Sequence, residues 1–253
     1  MGGDLPEASP TALITGATGG IGGAVAEEAA SRGYRTILLG RDRARLDGLA
    51  LKLAELGGPP ASSVVVDLFD DSSSGMAEAV DALDGRLDLL VNAAGDSLRA
   101  APLEELTVAD WQRSLQLHLL APVELQRRCF PALVAAGGVI VNLGSIVAGA
   151  APRRGAPYAT AKAALAAASR STAVEWAEHG IRSVVIEPGF VDTAFNAELV
   201  ASGAHERLLA RIPTGQAVGP AEVARLVFAL ADPDLPALTG GTVTLDGGLT
   251  ARL

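Results

Sequence analysis

The sequence predicts a single α/β domain, a doubly wound sheet of parallel strands covered by helices on both faces. Three observations lead there. Short apolar runs alternate with helical stretches, mostly of ten residues or more, along nearly all of the 253 residues. A glycine-rich turn joins the first strand directly to the first helix. No repeat, linker or low-complexity break divides the chain. Such alternation implies right-handed crossovers and a parallel sheet buried on both sides.

The elements follow in order. Thr11–Thr15 is a short buried strand, and the stretch from Gly20 to Arg32 after the glycine turn is helical. Thr36–Leu39 is the second strand, and Arg43–Leu56 alternates apolar and charged positions at helical spacing. Ser63–Val66 is the third strand, Met76–Leu83 a short helix, and Leu87–Val91 the fourth strand. A long helix covers Val108–Ala136, bent near Pro122 and Pro131 because proline offers no N–H to the ladder. Val139–Leu143 is the fifth strand, Ala156–His179 a second long helix stopped by Gly180, and Ser183–Ile186 the sixth strand. A helix over Ala221–Leu230 and a strand over Thr242–Leu245 complete the chain.

Composition excludes several function classes. A net charge of −9 argues against a nucleic-acid surface, which needs clustered positive charge. No apolar run reaches the ~18 residues that span a bilayer. Met1–Pro10 is polar and lacks the basic and apolar segments of a secretion signal, so a cytoplasmic location is expected. Cys129 is the single cysteine; it rules out an intramolecular disulfide and speaks against a cysteine-based metal site, so no metal is expected.

The chemistry concentrates in one short segment. Tyr158 and Lys162 are four apart in a chain with two tyrosines and two lysines, and Ser145 lies upstream. On a helix that spacing puts both side chains on one face. A phenol is a poor acid or base at neutral pH, and a neighbouring ammonium favours its ionised form and pulls its pKa down. A serine hydroxyl beside them would hold a carbonyl or alcohol oxygen. Arginine outnumbers lysine 18 to 2, so a lysine here runs against the habit of the chain.

The glycine-rich turn points to a dinucleotide. Gly16, Gly20 and Gly22 allow a tight turn, close backbone approach to a pyrophosphate, and tight helix–strand packing. The helix that follows offers free N–H groups to the phosphates. At the end of the second strand stands Gly40 followed by Arg41, where an enzyme for NAD usually carries an acid. A guanidinium without a carboxylate favours a 2′-phosphate, hence NADP(H) over NAD(H). Asp42 reads as a helix N-cap.

Taken together, TGATGGIG after the first strand, NAAG at Asn92–Gly95, Ser145, YATAK at Tyr158–Lys162, PGFVDT at Pro188–Thr193 and the closing TGGTVTLDGG resemble the short-chain dehydrogenase/reductase family over nearly the whole chain. The resemblance implies a Rossmann-type sheet of about seven strands in the order 3-2-1-4-5-6-7. It implies that Tyr158 is the general acid or base, that Lys162 holds the nicotinamide ribose and lowers the tyrosine pKa, and that Ser145 orients the substrate oxygen. Gly16, Thr18, Ile21 and Gly22 match the phosphate turn, Arg41 the 2′-phosphate arginine, and Asp67 the acid at the adenine. Asn92 and Gly95 match the segment lining the cofactor. Pro188, Gly189, Val191 and Thr193 match the segment at the nicotinamide carboxamide. The family also implies a homotetramer built on the two long helices.

One position departs from that pattern. His118 stands where many members carry an asparagine that links the lysine through water to solvent; an imidazole can also relay protons, and the other reading is a core histidine satisfied by a backbone carbonyl. Residues 194–219 occupy the place of the variable substrate segment, with Phe195, Leu199, Leu208 and Leu209 read as an apolar lid or equally as one buried helix stripe. Asp96, Ser97 and Leu98 border the substrate, and Arg153 and Arg154 are solvated or greet an anionic group. The expected activity is hydride transfer between NADP(H) and a carbonyl or secondary alcohol of a small-molecule substrate. A 3-oxoacyl-carrier-protein reductase is the specific alternative, and a non-catalytic dinucleotide sensor the alternative of another class.

Overall fold

The computed structural model describes residues 9–69, 74–96, 99–150, 152–193 and 204–251, the side chains of 204 and 205 excepted. Phe195 and Leu199, read as part of a lid, and Ser97 and Leu98, read as substrate neighbours, lie outside the described residues. Seven parallel strands form one sheet in the order β3-β2-β1-β4-β5-β6-β7. They are β1 (Thr11–Thr15), β2 (Arg35–Gly40), β3 (Ser62–Val65), β4 (Leu89–Asn92), β5 (Val139–Leu143), β6 (Arg182–Pro188) and β7 (Thr242–Leu245). The helices are α1 (Gly20–Ser31), α2 (Arg43–Glu55), α3 (Ser74–Asp81), α4 (Val108–Leu115), α5 (Ala121–Ala136), α6 (Ala156–Glu175), α7 (Ala204–Leu209) and α8 (Pro220–Leu230).

Alternation along the strands builds two cores. Ala12, Ile14, Leu38, Val91 and Val141 face one side, packed under Val25 and Ala29 of α1 and Val223 and Val227 of α8. Leu13, Ile37, Leu90 and Ile140 face the other, under Met76 of α3 and Leu125 and Cys129 of α5. Cys129 is fully buried, and burial pushes its thiol up to about 12, so it packs as an apolar residue. The strand order reverses between β1 and β4, and in open α/β sheets ligands bind at the carboxyl ends of the strands beside such a reversal.

The long helix expected over Val108–Ala136 is interrupted, though differently from a bend at each proline. Gln116–Leu120 forms a π-helical turn between α4 and α5. Pro122 sits in the first turn of α5 and cannot donate to the carbonyl of His118 four residues back. The backbone widens instead, and Ala121 N–H reaches the Gln116 carbonyl. Pro131 is accommodated inside α5.

Candidate active site

Two adjoining cavities run across the carboxyl ends of the strands, sharing Gly19, Gly20, Ala93, Ala94, Gly95 and Thr193. The first, of about 370 Å³, is lined by Gly16, Thr18, Arg41, Arg45, Asp67 and Phe69. The second, of about 310 Å³, is lined by Ile21, Gly22, Ser145, Tyr158, Lys162 and the segment Pro188, Gly189, Val191 and Thr193.

The turn between β1 and α1 leaves no room for a side chain at Gly16 or Gly22. Gly16 has φ of +64°, and a Cβ there would come within 2.7 Å of the Ala94 Cα. A Cβ on Gly22 would run into the Gly16 carbonyl. Thr15 Oγ1 accepts hydrogen bonds from Ala93 N–H at 3.0 Å and Ala94 N–H at 3.1 Å, tying the loop after β4 to the end of β1. The N-cap of α1 is Gly19, which places no side chain over the first N–H groups. An uncapped helix start facing a cavity suits an anionic phosphate.

Two elements, the loop after β5 and α6, bring the candidate proton-handling groups together. Ser145 ends the β5 loop, and its Oγ accepts from Val147 N–H at 3.4 Å. Tyr158 and Lys162 lie one turn apart on α6, with the Lys162 Nζ 5.7 Å from the centre of the phenol ring. Nζ donates to the Leu143 carbonyl at 2.5 Å. Lys162 is 4% exposed, and burial pulls its amine down to about 8. The expected lowering of Tyr158 by this ammonium is not what governs the phenol here. Burial raises it above its ordinary value, opposed by a hydrogen bond from Ser145. The phenol therefore stays protonated through neutral pH.

Two sequence-predicted residues are turned away from both cavities. Asn92 is buried, and its amide donates to Asn142 Oδ1 at 2.8 Å. Gln126 donates to the same oxygen at 3.1 Å, and Asn142 donates to Ser169 Oγ at 3.3 Å. Asn92 thus joins a polar network crossing β4, β5, α5 and α6, while Ala93, Ala94 and Gly95 provide the wall. His118, in the π turn, is 1% exposed and packs edge-on against Tyr158 with ring centroids 5.0 Å apart. Neither of its ring nitrogens has a hydrogen-bond partner among the described residues. Burial, with a smaller contribution from the Lys162 charge, pulls the imidazole down to about 2, so it is neutral.

The site also holds residues the sequence did not single out. Arg45, on the first turn of α2, donates to the Thr18 carbonyl at 2.6 Å and lines the first cavity. Its signal was present, four residues after Arg41 on the helix that Asp42 caps by accepting from Arg45 N–H at 3.2 Å. Arg113 lies over the Phe69 ring, 3.8 Å from its centroid, and stiffens the wall beside Asp67. Asp67 accepts from Phe69 N–H at 3.0 Å.

The family model described as enoyl-(acyl carrier protein) reductase matches residues 16–250. The chain belongs to the short-chain dehydrogenase/reductase family. A cis-4-hydroxycyclohexanecarboxylate dehydrogenase of Sinomonas cyclohexanicum is 35% identical over 96% of this chain and 98% of the relative. A D-threitol dehydrogenase of Mycolicibacterium smegmatis is 33% identical over 95% of this chain and 93% of the relative. Among solved structures of short-chain dehydrogenases/reductases, a putative NAD(P)-dependent gluconate 5-dehydrogenase of Beutenbergia cavernae, with bound NADP, superposes with a TM-score of 0.88. It is 35% identical, over 97% of this chain and 98% of that one. The chain is thus an oxidoreductase by family. No helix among its described residues is long and apolar enough to cross a membrane, and no three metal-binding side chains cluster there.

Proposed function

We propose that the protein interconverts a secondary alcohol and its carbonyl compound with NADP(H), using Tyr158 as general acid–base. The observation that carries this reading is the convergence of Ser145, Tyr158 and Lys162 on the cavity that also holds the glycine turn and the Pro188–Thr193 segment. The residues present fit a dinucleotide: a turn that excludes Cβ atoms, an uncapped helix start, and two arginines at the far end of the cleft.

Bound NADP(H) supplies or accepts the hydride. Ser145 donates a hydrogen bond to the substrate oxygen and holds it against the phenol. Tyr158 gives its proton to that oxygen in reduction and removes it in oxidation. Its raised pKa suits the donor role, because the proton is in place at neutral pH. Lys162 stands on the same helix face, where its ammonium offsets charge as the phenolate forms. Gly16, Thr18, Gly20, Ile21 and Gly22 receive the phosphates, Arg41 the 2′-phosphate and Asp67 the adenine. Gly95, Pro188, Gly189, Val191 and Thr193 wall the nicotinamide end. His118 takes the relay position as a neutral imidazole, accepting at one nitrogen and donating at the other. A His118→Ala variant with unchanged turnover and pH profile removes that role.

The relatives are named for small hydroxylated molecules: a cyclohexanecarboxylate alcohol, a tetritol and gluconate. The same class, small polar alcohols and their ketones, is the substrate class proposed here, ahead of acyl-carrier-protein thioesters. Residues 1–253 act as one unit in the cytoplasm. The assembly is a homotetramer, in keeping with Val108, Leu120, Val123 and Val174 standing exposed on α4, the π turn, α5 and α6. The deciding experiment follows NADPH consumption across ketones of sugars, polyols and hydroxy acids, with acetoacetyl thioesters alongside. The reading expects turnover on the polar ketones and its loss in Tyr158→Phe with NADPH binding kept. NADPH binding with no turnover on any carbonyl would leave a sensor.

A further inference from the structure

Arg41 does not face the cleft alone. Its Nη1 lies 3.1 Å from a carboxylate oxygen of Asp96, and both side chains line the first cavity. Arg41 follows β2 and Asp96 follows β4, so the pair spans the mouth between the two loops flanking β1. The charged residues lining this cavity, among the described residues, are Arg41, Arg45, Asp67 and Asp96. Two positive charges therefore meet two negative ones. An arginine pair alone would favour a phosphate dianion strongly; this balanced set does not.

We propose that Asp96 is a specificity-determining residue that opposes the 2′-phosphate. It competes for the Arg41 guanidinium and repels the incoming dianion, holding the preference for NADPH over NADH below what Arg41 and Arg45 would give. This rests on Arg41 meeting the 2′-phosphate, as read above. The two partners are 57% and 32% exposed, so the pair opens readily and is screened by salt. An exposed pair also adds little to folding, so its effect on selection can be measured without unfolding the protein.

The test compares dissociation constants of NADPH and NADH for the wild type, Asp96→Asn, Asp96→Ser and Arg41→Gln. Adenosine 2′,5′-bisphosphate and AMP serve as truncated probes that never reach the substrate end. Removing the carboxylate is expected to raise the NADPH-to-NADH affinity ratio about fivefold at low ionic strength, with most of the gain gone by about 0.5 M salt. The truncated pair should shift alike. A ratio that stays constant or falls in both Asp96 variants overturns the inference; a fall would mean Asp96 holds Arg41 ready for the phosphate. Failure of the underlying reading looks different, since Arg41→Gln would then leave the wild-type ratio where it was.

Discussion

The two ends of the cleft are built on opposite principles. Around the Ser145–Tyr158–Lys162 cavity, Lys162 and His118 are almost wholly buried and Tyr158 half-buried, and burial moves all three pKa values. In the adjoining cavity, Arg41 is 57% exposed and paired with Asp96 at 3.1 Å. Burial fixes a side chain and shifts its proton affinity; exposure leaves a charge movable and screened. Proton transfer to one oxygen needs the first arrangement. Choosing between cofactors that differ by one phosphate needs only a balance of charges. Under the proposed function, residue identity would carry the first task, and the sum over several residues the second.

The sharpest way to break this contrast is at Tyr158. Tyr158→Phe is expected to lower turnover about a thousandfold while the NADPH dissociation constant stays within about twofold, read by steady-state kinetics and titration. Similar turnover would move the acid elsewhere.

Lys162 should show the stability cost of its burial. Its amine is pulled from an ordinary 10.5 to about 8, so below pH 8 the folded protein holds an ammonium that the unfolded chain keeps in water. That destabilisation is fully present below about pH 8 and is relieved as pH rises towards 10.5. Lys162→Met is therefore expected to be more stable at pH 7 by roughly 1–3 kcal/mol, net of the lost bond to Leu143, with the gap closing above pH 8. Turnover should fall about a hundredfold. Urea unfolding at pH 7 and pH 10 reads the stability; a less stable variant at pH 7 contradicts it.

His118 gives a smaller effect of the same pH sense in a lower window. Its imidazole sits near 2 in the folded state against an ordinary 6.5, so protons favour the unfolded chain as pH falls below 6.5. At pH 5 this costs about 2 kcal/mol. His118→Asn should lose less stability than the wild type between pH 7.5 and 5, measured by thermal melts. An equal loss would place the acid sensitivity elsewhere. The smallest expected change is at the exposed end. Arg41→Gln should weaken NADPH about tenfold and leave NADH nearly unchanged. A loss shared equally by both cofactors would make Arg41 a general anchor instead of a selector.

The sequence made much of this legible where local pattern decides. β1 and β5 fall at the residues their apolar runs marked, because strands buried on both faces need continuous apolar stretches; β7, at the sheet edge and only partly buried, falls where its Thr–Val alternation put it. Tyr158 and Lys162 meet as helical spacing requires. The π turn was not legible: Pro122 announces a missing donor but not whether the helix bends or widens. Asn92 lay beyond reach for another reason. Its direction is set by Asn142 and Gln126, which come from other elements. The raised Tyr158 phenol likewise depends on everything packed around it, and the adjacent lysine was only one of its neighbours. The Arg41–Asp96 pairing joins loops distant in sequence, so motif spacing carries no trace of it.

Because the widened turn at Gln116–Leu120 arises from a backbone amide that Pro122 does not possess, it is independent of which side chain residue 118 bears. The scaffold thus presents one interchangeable seat against the Tyr158 phenol. If the proposed relay holds, evolution or an engineer could refit that seat with a single codon and retune how protons arrive while Ser145, Tyr158 and Lys162 keep their places.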